Sequence, residues 1–333
     1  MTLPPLSAAL LRWLRRFSEL TIVVWGDFVA DEFVAGEIVR VSREAPVLIL
    51  KRRSRQIVPG GAGNAAMNLA ALGVNVRLVG ALGDDEPGER LRECFRGSGM
   101  DTAGLVRLRR WATPTKTRIL AHHAHTAPQQ VVRLDQEPEP HPPATQQRMA
   151  VRARRAARHA AAVVVSDYGY GAVTPELAVE LRSAMPMPAL VTVDARYQIA
   201  AYRGLSAATP NENELEAALG VKIGAAAANL EQAGRRLRQR LGCTHLLVTR
   251  GRDGMALFEE RQPLRQLAVH GSRRALDVTG AGDTVIAVFT AALAAGASGW
   301  DAAALANYAA GLVVMKPGTA TVSPAELEAA LRQ

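Results

Sequence analysis

Cysteine is nearly absent: Cys94 and Cys243 are the only two in 333 residues. Two thiols make neither a disulfide framework nor a four-thiolate metal site, and they read as reduced thiols of a cytoplasmic protein. Aromatic residues are few, at 5%, and none is interleaved with the basic groups at Lys51–Arg53, Arg152–Arg155 or Arg235–Arg236. Stacking on single-stranded nucleic acid needs such interleaving, and no zinc-finger or basic-zipper spacing is present. Lysine is scarce too. Only Lys51, Lys116, Lys222 and Lys316 occur, so the net charge of +9 is carried almost wholly by arginine. The arginine groups read as solvated helix faces, and no nucleic-acid partner is expected. The positive field would instead draw small anionic substrates.

Long apolar runs are missing as well. The longest, Val285 to Ala297, is broken by Thr290 and Gly296 and falls short of the roughly 18 residues of a membrane span. At the N-terminus, Leu6 to Leu11 precede Arg12, Arg15 and Arg16, the reverse of a signal peptide's order. No membrane partner is expected. Leu10, Leu14 and Phe17 stand at helical spacing and predict a short amphipathic helix within residues 1–20.

What is present is ordinary globular balance, 48% hydrophobic and 21% charged, with chain enough for a large core. From residue 161 onward, apolar runs of strand length (161–166, 189–194, 245–250) alternate with helical patterns (174–183 and from Ala281). That alternation predicts an α/β fold with a mostly parallel sheet covered by helices. The first part differs. After a buried strand at 21–27, segments 33–42 and 45–53 follow with no helix between, and 115–123 and 129–135 look alike. They predict a small β-sheet lid, with lid segments near 33–53 and 113–135 inserted in one domain over 21–333. The stretch QEPEPHPP at 136–143 reads as an exposed loop.

Chemistry concentrates in three segments. In Asp277-Val278-Thr279-Gly280-Ala281-Gly282-Asp283-Thr284, two glycines lead into a helical pattern. Gly280, Ala281 and Gly282 would bring helix-start N–H groups against an anion. Asp283 at the mouth of such a site is suited to take the proton of an attacking hydroxyl; the plainer alternative is a helix N-cap. Gly60-Gly61-Ala62-Gly63-Asn64 would let backbone and the Asn64 amide meet a polar ligand, or would simply make a tight strand-to-helix turn. In Thr209-Pro210-Asn211-Glu212-Asn213-Glu214, Asn211 and Glu214 suit a hydrated Mg²⁺ or, equally, a capping box.

Taken together, DVTGAGDT (277–284), PGGAGNAAMNLAALG (59–73) and TPNENELE (209–216) resemble the signatures of the ribokinase-like, PfkB-type sugar kinases, over nearly the whole chain. Within that family, RVSREAPVLIL (40–50), TPTKTR (113–118), VVRLD (131–135), VVSDYGYGAV (164–173), LVTRGRDGM (247–255) and GTATVSPAEL (318–327) resemble the branch acting on D-glycero-D-manno-heptose 7-phosphate. The resemblance implies a ribokinase-like fold, ATP and Mg²⁺ as cofactors, and K⁺ at a monovalent-cation site. It implies Asp283 as catalytic base with Gly280, Ala281 and Gly282 as anion hole. It implies Asp31, Gly60, Gly61, Asn64 and Asp167 around the sugar. Asn211, Glu214, Thr249, Gly251, Asn307 and Lys316 fall around the nucleotide, with Glu214 reaching Mg²⁺ through water and Asp277 and Thr279 at the monovalent cation. Bacterial members are often fused to a nucleotidyltransferase, which is not expected within this chain.

Two positions depart from that branch: Tyr170 stands where it carries lysine, and Asp194-Ala195-Arg196 replaces Asp-Pro-Lys. The expected reaction is phosphorylation of the heptose 7-phosphate at its anomeric hydroxyl, for ADP-heptose and lipopolysaccharide synthesis. The alternatives are another sugar (a ketose, ribose or a 2-keto-3-deoxy sugar acid) or a non-catalytic sugar- or nucleotide-binding regulator. Lys116, Arg118 and Arg133 on the lid segments would hold a substrate phosphate, unless they only pair with lid carboxylates. Exposed lid edges, which sheets usually cover or pair, predict a homodimer through the lid.

Overall fold

The computed structural model describes residues 5–122, 128–186, 190–224, 227–272 and 275–332. The elements run α1 (Pro5–Arg15), β1 (Thr21–Gly26), β2 (Phe28–Val41), β3 (Leu48–Gly61), α2 (Ala62–Ala71), β4 (Asn75–Gly83), α3 (Glu86–Gly97), β5 (Asp101–Leu108), β6 (Thr115–His122), β7 (Gln129–Gln136), α4 (Pro143–Ala157) and β8 (Ala162–Asp167). They continue as α5 (Pro175–Ala184), β9 (Leu190–Ala195), β10 (Ala207–Ala208), α6 (Glu212–Leu219), α7 (Ala227–Leu241), β11 (His245–Thr249), β12 (Met255–Glu259), β13 (Arg265–Leu267), α8 (Ala281–Ala294), α9 (Gly299–Val313) and α10 (Pro324–Leu331).

A nine-stranded sheet has the order β13-β12-β11-β10-β9-β8-β1-β4-β5. It is parallel from β5 to β11, and β12 and β13 add antiparallel to one edge. The alternation along β1 shows why the sheet is buried on both faces. Ile22 and Val24 enter the core with α2, α8 and α9, whereas Val23 and Trp25 enter the core with α4, α5 and α7. α8 is apolar nearly all round and buried through Ala292, as a helix packed on every side must be. α1 lies against α9 and α10. Leu10, Leu14 and Phe17 are buried, and Trp13 donates its indole N–H to Asp301 at 3.1 Å.

The second sheet, β3-β2-β6-β7, is the lid. β2 and β6 run parallel, and β3 and β7 flank them antiparallel. Its strands are longer than the sequence pattern indicated: β2 starts at Phe28 and β3 runs on to Gly61, so both pass directly from core to lid. The β4–α3–β5 unit was not recognised in the sequence, and His123, Ala189 and Leu6's side chain lie outside what is described. The 137–142 connector is not wholly exposed. His141 is buried and stacks on Trp111 with ring centroids 4.2 Å apart, which pins this lid connector to the other one at 109–114. Of the three arginine groups, those at 152–155 and 235–236 lie on α4 and α7, but Lys51–Arg53 lies on lid strand β3. There Arg53 pairs with Glu37.

Candidate functional site

Parallel α/β sheets present their ligands at the carboxyl ends of the strands. Here β1 ends beside Asp27, β8 at Asp167, β9 beside Asp194 and β11 at Thr249. The lid stands over this edge.

Gly280 caps α8 in the left-handed region, with φ of +77°. A Cβ there would lie 2.2 Å from the Asn64 amide nitrogen, so only glycine permits the approach. The Ala281 amide donates to the Val278 carbonyl at 3.3 Å. Among the described residues, this leaves the Gly282 and Asp283 amides as the helix start's open donors. Of the three residues expected to form an anion hole, Ala281 therefore has its amide engaged within the turn.

Asp283 is buried. Its Oδ2 accepts from the Asn64 amide at 2.9 Å and its Oδ1 from the Tyr168 hydroxyl at 2.7 Å. Burial pushes its carboxyl up to about 7, against the pull of both hydrogen bonds and of Lys116. A carboxyl poised near neutral pH is what a general base needs. The capping alternative fails, because no side chain caps α8. Asn64 was expected at the sugar. Its amide instead serves Asp283 and the Gly280 carbonyl, while its Oδ1 accepts from Asn68 at 3.2 Å. It aims the base.

Asp31 is buried and pairs with Arg118 at 2.5 Å. A Cβ on Gly60 would meet Asp31 Oδ2 at 2.3 Å, so that glycine makes room for the carboxylate. Gly61, with φ of +56°, turns β3 into α2 and packs near Tyr168. In register, Asp31 pairs with Lys116, Phe33 with Arg118, and Arg118 with Arg133. Directly paired residues share a sheet face, so all of them belong to the lid's inner face. Lys116 is pushed down by burial and then by neighbouring Arg196. Arg133 is half exposed and paired with Asp135 at 2.9 Å, as the plainer alternative had it.

Asp167, expected near the sugar, is buried at the end of β8. Its oxygens accept from the Tyr202 hydroxyl at 2.7 Å and the Gly169 amide at 2.9 Å. Asp27, missed in the sequence, accepts from the amides of Tyr168, Tyr170 and Ala172 at 2.9 to 3.0 Å. Burial, then the Asp167 charge, push it up to about 7. Together these two acids fasten the 168–172 loop. Tyr170 donates to Glu137 at 3.3 Å.

A cavity of about 370 Å³ includes Thr249, Gly251, Ala281, Gly282 and Asn307 in a mostly apolar wall with Met255, Val278 and Val285, a lining suited to a flat base. Lys316, expected there, points elsewhere: it donates to the Thr321 carbonyl at 2.7 Å and pairs with Glu326 at 2.6 Å. Asn211 and Glu214 form the capping box of α6, each side chain taking the other's amide at 2.9 Å. Glu214 is pushed up by burial, and so is Asp194, where the charges of Glu214 and Asp283 add to the effect. Two carboxylates crowded in this way favour a cation between them. Among the described residues no cluster of three metal-ligating side chains occurs, but Mg²⁺ keeps several waters and needs only one or two carboxylates. An acid at the end of an apolar strand was the overlooked signal for Asp194.

Asp277 accepts from the Thr279 and Gly318 amides, both at 2.9 Å. Burial raises its carboxyl, but these donors and Arg118 bring it below the ordinary range. A cleft of about 680 Å³ lies between Asp277, Thr279 and Gly318 on one side and Phe33, Gln56 and Arg118 of the lid on the other.

The profile described as pfkB family carbohydrate kinase matches residues 21–326. The chain is 40% identical over 321 residues to bifunctional protein HldE of Desulfatibacillum aliphaticivorans, covering 95% of this chain and 64% of that one. It is 41% identical over 319 residues to the HldE of Halorhodospira halophila, again covering 95% and 64%. It thus spans just under two thirds of these relatives' length. Among solved structures it is similar to Arabidopsis thaliana ribokinase complexed with ribose and ATP, with TM-score 0.71, 20% identity and coverage of 94% of this chain and 99% of that one. It is also similar to phosphofructokinase-2 from Escherichia coli, with TM-score 0.75, 16% identity and coverage of 94% and 98%. The fold is ribokinase-like, and the chain belongs to the pfkB family of carbohydrate kinases, enzymes that phosphorylate a sugar at the expense of ATP.

Proposed function

We propose that the sugar is D-glycero-D-manno-heptose 7-phosphate, phosphorylated at its anomeric hydroxyl to the 1,7-bisphosphate in ADP-heptose and lipopolysaccharide synthesis. The observation that carries this reading is the gathering of cations around Lys116 on the lid. Burial and the charges of Arg196 and Arg133 disfavour the Lys116 ammonium, with Asp135 and Asp31 opposing them. Asp31 and Asp135 offset part of this charge, and a substrate phosphate, unlike a neutral sugar, would accept charge-assisted bonds from the remainder. The sequence segments shared with the heptose branch support the same substrate.

In this reading Asp31, fixed by Arg118, orients the sugar hydroxyls. Asp283 takes the proton of the attacking hydroxyl as the new O–P bond forms and the bond to the departing ADP breaks. The Gly282 and Asp283 amides stabilise the transferring phosphoryl group. Asp194 and Glu214 would hold Mg²⁺ through water, which supplies charge neutralisation on the phosphates. Asp277 and Thr279 would place K⁺ beside the helix start. The test is coupled ADP release with Mg²⁺ and K⁺. Losing a charge-assisted contact costs roughly 1.5–3 kcal/mol, so kcat/KM for heptose 7-phosphate should exceed that for the unphosphorylated sugar by about tenfold or more. Equal use of both would overturn the assignment in favour of a ketose, ribose or 2-keto-3-deoxy sugar acid. No ADP release with any sugar would favour a binding regulator.

We also propose a homodimer through the lid. On its outer face, opposite the cleft, Leu134 is 58% and Val132 45% exposed on edge strand β7, and Val39, Val41, Val47 and Leu48 are exposed on or beside β2 and β3. Light scattering at micromolar concentration should give twice the 35.5 kDa chain mass, and Leu134→Glu should shift it toward the monomer. A monomeric wild-type protein would remove the dimer.

A further inference from the structure

We propose that Tyr168 is the positioning residue of the catalytic base: its hydroxyl holds Asp283 in place and keeps it ionised, a role that rests on the kinase reading above. The geometry is specific. Tyr168 donates to Asp283 Oδ1 at 2.7 Å while Asn64 donates to Oδ2 at 2.9 Å, so the carboxylate is gripped from two elements and cannot swing. Tyr168 is itself fixed. Its amide is tied to Asp27 at 2.9 Å, and a Cβ on Gly61 would come within 3.2 Å of its ring. The Lys116 ammonium lies over the ring, 5.8 Å from its centroid, which places a lid cation against the core residue that aims the base.

The direction of the effect follows from the donor. A hydrogen bond to the charged form favours that form, so Tyr168 opposes the burial that raises Asp283. Burial and the Asp283 charge keep the Tyr168 phenol well above its ordinary range, so it remains a donor and is not itself the base. The groups facing Asp283 are Asn64 from α2, Tyr168 after β8, Asp194 from β9, and Asp31 and Lys116 from the lid. Among the described residues, Tyr168 and Asn64 are the side chains that bond it directly. The alternative is that Tyr168 is merely a wall of the sugar pocket, where its hydroxyl would have no bearing on protonation.

The test is Tyr168→Phe, which keeps the ring and removes the hydroxyl. The expected result is a shift of the acid limb of the kcat profile upward by about one pH unit. Turnover should then be about tenfold lower below pH 6 and recover toward wild type above pH 8, with KM for ATP unchanged. Infrared difference titration of the Asp283 carboxyl, referenced to Asp283→Asn, should move upward by the same amount without any turnover being needed. Loss of kcat by one factor at every pH, or an unmoved carboxyl titration, would overturn the proposal. If the titration moves but neither protein phosphorylates any sugar, the kinase reading fails and the positioning of Asp283 stands.

Discussion

Asp283→Asn is expected to lower kcat by about 10²–10⁴-fold, with little change in ATP affinity, and to stabilise the folded protein at alkaline pH. Both effects come from one burial. Asp283 is pushed from 3.8 up to about 7 in the fold, so between those values the folded state keeps a proton that the unfolded state has lost. Stability therefore falls as pH rises from about 4 to about 7 and stays reduced above that. At 1.36 kcal/mol per unit the cost at pH 8 is of order 4 kcal/mol. An amide carries no such charge, and the Tyr168 hydroxyl can rotate to suit it. Thermal scans should show a higher Tm than wild type at pH 8 and a much smaller difference at pH 5. A variant keeping more than about a tenth of wild-type kcat would remove Asp283 from the role of base.

Gly280→Ala should cost both stability and turnover, and Gly204→Ala separates the causes. The two glycines have nearly the same backbone, with φ of +77° and +76°. A Cβ at Gly204 meets nothing within 4 Å, whereas one at Gly280 would stand 2.2 Å from the Asn64 amide nitrogen. Backbone strain alone costs about 1–3 kcal/mol, and both variants bear it. Only Gly280→Ala must also push Asn64 away from Asp283. A hydrogen bond to a charged group contributes about 1.5–3 kcal/mol, so kcat should fall by a further tenfold to a hundredfold in that variant alone. Equal kcat in the two proteins would show that Asn64 does not aim the base.

Local sequence carried a good deal of this. The glycine-rich entry to α8, the strand–helix alternation after residue 161 and the helix-less strand pairs of the lid each depend on neighbours a few residues apart. Periodicity and turn chemistry therefore expose them. Asn211 and Glu214 show the limit of local reading: a capping box and a metal-binding pair have the same spacing, and here the capping bonds form while one carboxylate is left with a raised proton affinity. Lys316 was misplaced for a related reason. Its long side chain turns back to the Thr321 carbonyl and Glu326 on α10, a contact no helical or strand period encodes.

By itself, then, the sequence determined the α/β class, the lid and the glycine-rich helix start that carries Asp283, because a buried parallel strand, a glycine turn and a helix start are short-range objects. Tertiary structure alone decided what surrounds that acid. Asn64 and Asp283 are 219 residues apart, Tyr168 and Asp283 115, and Asp31 and Arg118 87. Whether such groups meet depends on which way each side chain leaves its strand end or helix start once the sheet, α8 and the lid have packed. That direction is set by close packing over the whole core, which no window of sequence contains.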